Sequence, residues 1–286
     1  MRKLLFLVAD THQGSPVALP PNGTAWDFID GGSKPFGGWQ VTFWNHWCEC
    51  ADRVGDLRSR YDQLVIVHAG DAIEGVHHQT VQLLTQRVDE QERMHVAAMQ
   101  ELQRRAKFDP AHDRIIYLSG TPAHSGNGNS STERIARMML GLAQDARLDG
   151  SVITPRINKT INGVLFDIAH KGFKLSSRRW LHTNSIRAYL MDRYVKSLEA
   201  KRPMPRYVVR AHYHTFGHEH LEDARAQTVS DAFLMPAWKI RDEYVEQFAP
   251  EAVQDIGALV FVIEADGSSS CTPMLMTCDP DPVEEL

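Results

Sequence analysis

Aspartate and histidine residues follow five short apolar runs in this 286-residue chain. The runs cover residues 4–9, 64–69, 114–120, 164–169 and 207–211, and the residues that follow them include Asp10, His12, Asp71, His124, His170, His212 and His214. Short β-branched runs are typical of buried parallel strands, whose carboxyl ends meet at one edge of a sheet. About seven oxygen and imidazole ligands at one edge are too many for one metal ion and suit two.

Asp71 is central to this hypothesis, because one carboxylate shared by both ions is the simplest way to hold them about 3.5–4 Å apart. Imidazole and carboxylate ligands suit Mn²⁺, Fe or Zn²⁺, and such a pair lowers the pKa of a water held between the ions. The resulting hydroxide would attack phosphorus in line. No serine nucleophile or phosphate-binding glycine loop is then required, and the chain contains neither G-x-x-x-x-G-K-[ST] nor G-x-S-x-G.

Composition predicts a globular protein without a membrane span. Hydrophobic residues make up 43% of the chain, and no apolar run reaches about 18 residues. The apolar start ends at Asp10 and reads as a first strand rather than a signal peptide. Four cysteines without a Cys-x-x-Cys pair predict reduced thiols in a cytoplasm.

Charge is distributed unevenly around the formal net value of −5. Residues 171–210 contain eleven Lys and Arg against two acids, whereas residues 241–286 contain eleven acids against one arginine. The basic segment indicates a side that faces a polyanion, although a solvated helix face explains it equally well. Its aromatic residues would suit stacking on single-stranded nucleic acid; they are Phe173, Trp180, Tyr189 and Tyr194. The candidate substrate contacts are Arg178, Arg179 and His78.

Hydrophobic periodicity predicts an α/β protein with two sheets packed face to face and helices outside. Helices are predicted over residues 38–60, 80–107, 130–143 and 176–200, and a β-hairpin over 152–161 and 164–169 with an Asn-Gly turn. We expect one domain over 1–278, in which 13–38 is an active-site loop insertion and 171–206 a basic helical segment. Residues 279–286 are expected to form a loose acidic tail.

The ordered motifs resemble those of the calcineurin-like metallophosphoesterases over roughly residues 4–220. They are Asp10-x-His12, Gly70-Asp71-x-x-Glu74, Gly120 to His124, His170 and His212-x-His214. The sequences Gly-Asp-Ala-Ile-Glu-Gly-Val-His-His and Arg-Ala-His-Tyr-His look like the branch found in phages and prophages. The resemblance implies a four-layer αββα sandwich of two mixed β-sheets flanked by helices. It also implies two divalent ions, with Mn²⁺ expected first and Fe, Zn²⁺ or Ni²⁺ as alternatives.

By the same resemblance, one ion would bind Asp10, His12, Asp71 and His214, and the other Asp71, His170 and His212. The third motif of the family normally reads Gly-Asn-His, and here Thr121 stands in place of the asparagine that binds the second ion. Thr121 could be a ligand itself, Asn127 or Asn129 could fold back, or a water could take the position. The catalytic residues would be Asp71 and His124, the latter as an acid or electrophile near the leaving oxygen. Glu74 and Asp167 are candidates for orienting a ligand imidazole.

The leading prediction is a dimetal phosphoesterase that acts as a phosphodiesterase or nuclease, with single-stranded nucleic acid as a candidate partner and a homo-oligomer left open. One alternative is a phosphomonoesterase that acts on a small molecule or protein. Another is a metal-binding module with weakened catalysis, because the asparagine is missing. A hydrolase of the metallo-β-lactamase type, suggested by His218-x-His220, fits poorly, because it ignores Asp10 and Asp71.

Overall fold

Two β-sheets form the centre of the protein. The computed structural model describes residues 1–77, 82–126, 129–143, 147–172, 176, 178–240 and 254–278. The strands are β1 (Lys3–Val8), β2 (Ala25–Asp27), β3 (Ser33–Pro35), β4 (Gln63–His68), β5 (Arg114–Leu118), β6 (Ile153–Thr154), β7 (Arg156–Ile161), β8 (Val164–Ala169), β9 (Tyr207–Arg210), β10 (Gly217–Asp223), β11 (Thr228–Leu234), β12 (Gln254–Ile263) and β13 (Ser269–Cys278). The helices are α1 (Trp39–Arg58), α2 (Val88–Arg105), α3 (Pro122–Ser125), α4 (Ser130–Met139) and α5 (His182–Glu199).

Both large sheets are mixed. The first has six strands in the order β13-β12-β1-β4-β5-β6, and β1, β4, β5 and β6 run parallel. The second has five strands in the order β10-β11-β9-β8-β7, and β11, β9 and β8 run parallel. A small ribbon pairs β2 with β3. The strands that precede the aspartate and histidine residues of the sequence analysis are β1, β4 and β5 in the first sheet and β8 and β9 in the second.

Alternating side chains bury both faces of the first sheet. In β1, Leu4, Phe6 and Val8 belong to the core formed with the helices α1, α2 and α4. Leu5 and Leu7 belong to a second core, between the sheets, which also includes residues of β8, β9 and β11. A third core joins α5 to the outer face of the second sheet. The order helix, sheet, sheet, helix confirms the expected αββα sandwich.

Two of the predicted helices begin later than their sequence pattern predicts, whereas α4 begins at Ser130 as expected. The second helix starts at Val88 rather than residue 80, because Leu84 already donates its backbone N–H to the Gly14 carbonyl and Gln91 binds the Thr85 carbonyl. Asp89 and Glu90 then occupy the first turn, where acidic groups stabilise the helix dipole. The basic segment 171–206 is helical from His182 to Glu199, after one 3₁₀ turn over Arg179–Leu181.

The predicted loop over residues 13–38 contains the β2–β3 ribbon and is fixed to α2. Glu90 is fully buried and accepts hydrogen bonds from the Trp26 indole at 2.7 Å and the Ile29 backbone at 3.1 Å. The predicted Asn162-Gly163 hairpin joins β7 to β8 as expected. Residues 279–286, the predicted tail, lie outside the described residues. In the described part of the chain, every helix is too short or too polar to cross a membrane.

Candidate metal centre

The candidate ligands lie together where strands of both sheets end. Asp10 and His12 follow β1, and Asp71 follows β4, both in the first sheet. His170 follows β8, and His212 and His214 follow β9 in the second sheet. The hydrogen bond from the Asp10 backbone N–H to the Gly70 carbonyl, at 3.0 Å, holds the first two segments side by side. The centre therefore lies between the two sheets, at their common edge.

The backbone is strained at most of these positions. Positive φ angles occur at Asp10 (52°), His12 (42°), Asp71 (54°), His212 (78°) and His214 (53°). Residues other than glycine rarely adopt this backbone conformation. It costs about 1–3 kcal/mol for each residue and is concentrated at functional sites. The fold therefore holds these five residues in a conformation that favours side-chain placement over backbone stability.

The ligand atoms form two groups, each contained within 4.8 Å. The first consists of Asp10, His12 and His214, with His214 Nε2 at 3.4 Å from Asp10 Oδ1. The second consists of Asp71, His170 and His212, with His170 Nε2 at 3.0 Å and His212 Nδ1 at 4.0 Å from Asp71 Oδ2.

A third group of ligand atoms, also within 4.8 Å, joins His12 to Asp71 and His124. Asp71 therefore has ligand atoms from both predicted ion sites within reach. This arrangement fits a carboxylate shared by two ions. The His212 side chain is 32% exposed while that of Asp10 is fully buried, so the centre opens toward solvent on the His212 side.

The chemistry of the donor set fits divalent cations. His12 donates Nδ1–H to Glu74 at 2.9 Å, and His170 donates Nδ1–H to the Ala69 carbonyl at 2.8 Å, so each Nε2 atom would offer its electron pair to a cation once its proton is displaced. Among the described residues, His12 Nε2, His170 Nε2 and Asp10 Oδ1 are buried without a hydrogen-bond partner. Buried acceptors without partners are rare, and bound cations would satisfy all three.

Neighbouring histidines hold the carboxylates of Asp10 and Asp71 in their ionised form. Burial would raise the pKa of Asp71, but the imidazoles of His170 and His212 beside it hold that pKa well below its ordinary value. Burial also opposes ionisation of Asp10, yet His170, His12 and His214 lower its pKa. Burial and Lys239 would lower the pKa of His12, whereas Glu74 and Asp10 raise it to about 9. Both carboxylates are therefore available to cations at neutral pH.

Glu74 contacts the His12 ring and forms an ion pair with Lys239. Lys239 Nζ lies 3.0 and 2.9 Å from the two carboxylate oxygens of Glu74, and both residues are buried. Glu74 was predicted to orient an imidazole and does so at His12. Lys239 was missed, because it lies in a segment without a motif. The Trp238 backbone N–H donates to the Asp10 carbonyl at 3.1 Å, and Lys239 forms an antiparallel bridge with Ala18. Asp167 bonds instead to three arginines on the outer face of the second sheet.

Thr121, in the third motif (Gly120 to His124), forms hydrogen bonds to the Asp71 carboxylate. Thr121 donates its backbone N–H to Asp71 Oδ1 at 2.6 Å and directs its hydroxyl at both carboxylate oxygens, each at 3.1 Å. Direct ligation by Thr121 stays a prediction. Asn129 binds the Ser119 hydroxyl at 3.1 Å, and Asn127 lies outside the described residues.

His124 lies against His12 and belongs to the ligand group that contains Asp71. Its Nδ1–H donates to the Glu74 carbonyl at 2.5 Å, and its ring lies edge-on to His12 with 4.5 Å between ring centres. Burial and His12 lower the pKa of His124 to about 3, so the ring is neutral. A neutral ring with its proton on Nδ1 accepts a proton or binds a cation at Nε2 more readily than it acts as an acid.

The other candidate residues do not belong to the ligand groups or lie outside the described part of the chain. The Arg178 guanidinium lies 5.7 Å from the centre of the exposed Trp180 ring, while His78 and the Arg179 side chain are not described. His218 and His220 both bind Asp231 Oδ1, at 2.8 and 2.9 Å, and neither belongs to a ligand group. Of the basic segment's aromatics, Tyr194 is buried in the core under α5 and Phe173 is not described.

Comparisons with known proteins give distant structural similarity only. No family model and no curated protein matches the chain. It is similar to the NAD nucleotidase NadN of Haemophilus influenzae, with 14% identity over 97% of this chain and 50% of that one and a TM-score of 0.40. It is also similar to a conserved Streptococcus pneumoniae protein described as a predicted phosphoesterase, with 8% identity over 96% and 98% of the two chains and a TM-score of 0.32.

A Thermotoga maritima protein of known solution structure is 10% identical over 96% of this chain and 99% of its own, with a TM-score of 0.31. The present chain spans about half the length of the NAD nucleotidase. All three TM-scores lie below 0.5, so the functional conclusion rests on the geometry of the centre.

Proposed function

We propose that this protein is a dimetal-dependent phosphoesterase that cleaves phosphodiesters, with single-stranded nucleic acid as the preferred substrate. One observation carries the proposal: two groups of buried and half-buried carboxylate and imidazole ligands adjoin at Asp71. When bound there, a pair of divalent ions would polarise phosphoryl oxygens and lower the pKa of a water molecule. Mn²⁺ is proposed first, with Fe, Zn²⁺ or Ni²⁺ as alternatives.

The residues around the centre would divide the remaining work. Asp10, His12 and His214 would hold one ion, and Asp71, His170 and His212 the other, with Asp71 shared. Thr121 would keep the Asp71 carboxylate in place through its three contacts. His124 would bind an ion or accept a proton at Nε2, since its Nδ1–H is committed to the Glu74 carbonyl. A substrate would enter on the His212 side, where the centre is exposed.

Preference for a nucleic acid strand is supported by charge and by one aromatic ring. The Trp180 side chain is 72% exposed and has Arg178 beside it, as expected of a ring that stacks on a base. Residues 171–210 carry the chain's strongest basic excess. The cytoplasmic location, the phage-type branch, the single domain and a homo-oligomeric state stay predictions.

The test is hydrolysis of bis-p-nitrophenyl phosphate, p-nitrophenyl phosphate and labelled single- and double-stranded DNA, with Mn²⁺ and with EDTA. We expect metal-dependent cleavage of the diester and of single-stranded DNA. Asp71→Asn should lower kcat/KM by at least about 100-fold, because loss of a residue that merely supports a ligand already costs 10–100-fold. His218→Asn is the matched control and should retain activity, because His218 lies outside the ligand groups.

Other results would redirect the assignment. Turnover of the monoester alone would replace the diesterase with a phosphomonoesterase. Stoichiometric binding of two Mn²⁺ ions without turnover of any phosphoester would identify a metal-binding module that does not catalyse hydrolysis. Equal loss of activity in Asp71→Asn and His218→Asn would refute the central role of Asp71.

A further inference from the structure

A second concentration of charge lies on the outer face of the five-stranded sheet, beneath α5. The Asp167 carboxylate is fully buried and is contacted by three arginines from three different elements. Arg156 of β7 donates Nε and Nη2 to it at 2.5 and 2.6 Å. Arg193 of α5 and Arg210 of β9 each donate Nη2 to Oδ2, at 2.6 and 3.0 Å. These four side chains are called the arginine cluster below.

The arginine cluster contains more donors and more positive charge than its carboxylate can satisfy. Three of the four bonds to Asp167 converge on Oδ2, which has only about two lone-pair positions. Among the described residues, Arg193 Nε and Arg210 Nε are buried without a hydrogen-bond partner. Three guanidinium groups and one carboxylate also leave two positive charges. An anion with several acceptor oxygens would complete this arrangement.

The arginine cluster is close to the metal centre along the chain. Ala169 pairs with Arg156 on one side and with Arg210 on the other, and the ligand His170 follows directly. Arg210 precedes His212 by two residues, which corresponds to about 7 Å along a strand. The Arg156 side chain is 40% exposed and that of Arg193 is 24% exposed, so both can be reached from solvent.

We propose that the arginine cluster binds a phosphate of the substrate strand outside the bond that is cleaved. This inference rests on the proposed function and specifies its substrate as a phosphodiester chain longer than one linkage. Guanidinium groups recognise phosphate oxygens through paired, charge-assisted hydrogen bonds, which lysines provide less well. The strand would pass from the metal centre over the carboxyl ends of β8 and β9 to reach Arg156 and Arg193.

A purely structural role would have different consequences. Arginines that only fix α5 to the sheet would affect the temperature of unfolding and leave binding of oligonucleotides unchanged. The test therefore measures binding of a fluorescein-labelled single-stranded 12-nucleotide DNA by anisotropy, in EDTA and at several salt concentrations. Thermal unfolding of each variant is followed in the same buffers.

Arg156→Gln and Arg193→Gln should raise the Kd for the oligonucleotide about 5-fold. Each should lower the slope of log K against log salt by about 0.7, the value for one phosphate contact on a single strand. Arg156→Lys should keep the slope, because it keeps the charge. The matched control is Arg187→Gln, on the same helix α5 as Arg193. The Arg187 side chain is 69% exposed and pairs with Glu219, so this variant should bind the oligonucleotide as the wild type does.

Unchanged binding in Arg156→Gln and Arg193→Gln would overturn the proposal, and so would an equal loss in Arg187→Gln, which would indicate diffuse attraction. Hydrolysis of bis-p-nitrophenyl phosphate by the wild-type protein with Mn²⁺ is measured separately. Turnover of that small diester together with unchanged oligonucleotide binding would reject the arginine cluster and retain the diesterase. Absence of turnover together with weaker oligonucleotide binding in Arg156→Gln and Arg193→Gln would reject the diesterase. It would retain the arginine cluster as a phosphate-binding site for a nucleic acid strand.

Discussion

At the scale of single residues, the candidate centre depends on which nitrogen of each imidazole carries its proton. His12, His124 and His170 direct Nδ1 at a carboxylate or a backbone carbonyl, so their Nε2 atoms are left for the centre. His68 differs, because it lies inside a strand and contacts the Thr11 hydroxyl at 3.1 Å, beside His95. A histidine is therefore assigned to the centre by its second nitrogen and by its place beyond a strand end.

Glu74 provides the first residue-scale prediction. Glu74→Gln should lower the affinity for Mn²⁺ about 10–100-fold, because Glu74 fixes the His12 ring and balances Lys239. It should also lower the free energy of unfolding by about 3–5 kcal/mol, because it breaks the buried ion pair between Glu74 and Lys239. The measurements are calorimetric titration with Mn²⁺ and denaturation in urea.

The matched control removes the charge that Glu74→Gln leaves behind. The double variant Glu74→Gln with Lys239→Met should recover much of the stability, since replacing a buried ion pair by neutral groups is often tolerated. If Glu74→Gln unfolds at the same urea concentration as the wild type, the Lys239 pair does not have the role assigned to it.

At the residue scale, the sequence predicted the aspartate and histidine residues that lie together better than the residues that position them. Asp10 and His170 could be predicted because each directly follows an apolar run, and Asp71 because only Gly70 separates it from one. Lys239 could not, because it lies 165 residues from Glu74 in the sequence and their contact depends on the tertiary structure. Thr121 was predicted as a substitute ligand, but its hydrogen bonds to Asp71 depend on the positions of two neighbouring strands, which spacing alone does not give.

At the scale of elements, close approach of neighbouring strand ends sets the position of Asp71. A Cβ atom added at Gly120, after β5, would lie 2.1 Å from Asp71 Oδ1. Gly120→Ala should therefore displace Asp71 and lower kcat/KM about 100-fold, as expected for a shift of about 1 Å at a reacting centre. The measurement is Mn²⁺-dependent diester hydrolysis together with Mn²⁺ affinity.

Gly150→Ala is the matched control for Gly120→Ala. Like Gly120, Gly150 has no positive φ angle, but an added Cβ there would meet no atom within 4 Å. It should leave activity and metal affinity unchanged. Wild-type metal affinity in Gly120→Ala would show that Asp71 does not depend on the β5 end.

The elements themselves were predicted well where one physical rule decided them. All five apolar runs form strands, and the β7–β8 hairpin has the predicted Asn-Gly turn, because local periodicity and turn chemistry suffice for both. The start of α2 was wrong, because Gln91 and Leu84 make contacts with distant loops that a helical pattern does not reveal. The β2–β3 ribbon was missed for the same reason, since the buried Glu90 fixes it.

At the scale of the whole molecule, two buried imidazoles change the stability of the protein in opposite directions as pH rises. Burial lowers the pKa of His68 to about 3, so its contribution is present above the unfolded value of 6.5 and is lost as pH falls toward 3. The pKa of His12 is raised to about 9, so its contribution is present below 6.5 and is lost as pH rises through 9. The metal-free protein should therefore be most stable near neutral pH.

Bound metal should change that dependence, which gives the whole-molecule prediction. A cation must displace the proton from His12 below pH 9, so the affinity for Mn²⁺ should rise by up to about tenfold per pH unit between pH 6 and 8. The increase in Tm caused by Mn²⁺, relative to EDTA, should grow over the same range. Thermal unfolding at fixed Mn²⁺ measures this, with His218→Asn as a control that retains the trend. A Tm increase that is independent of pH would mean that His12 does not exchange a proton for the cation, and the first ligand group would then have to be assigned without it.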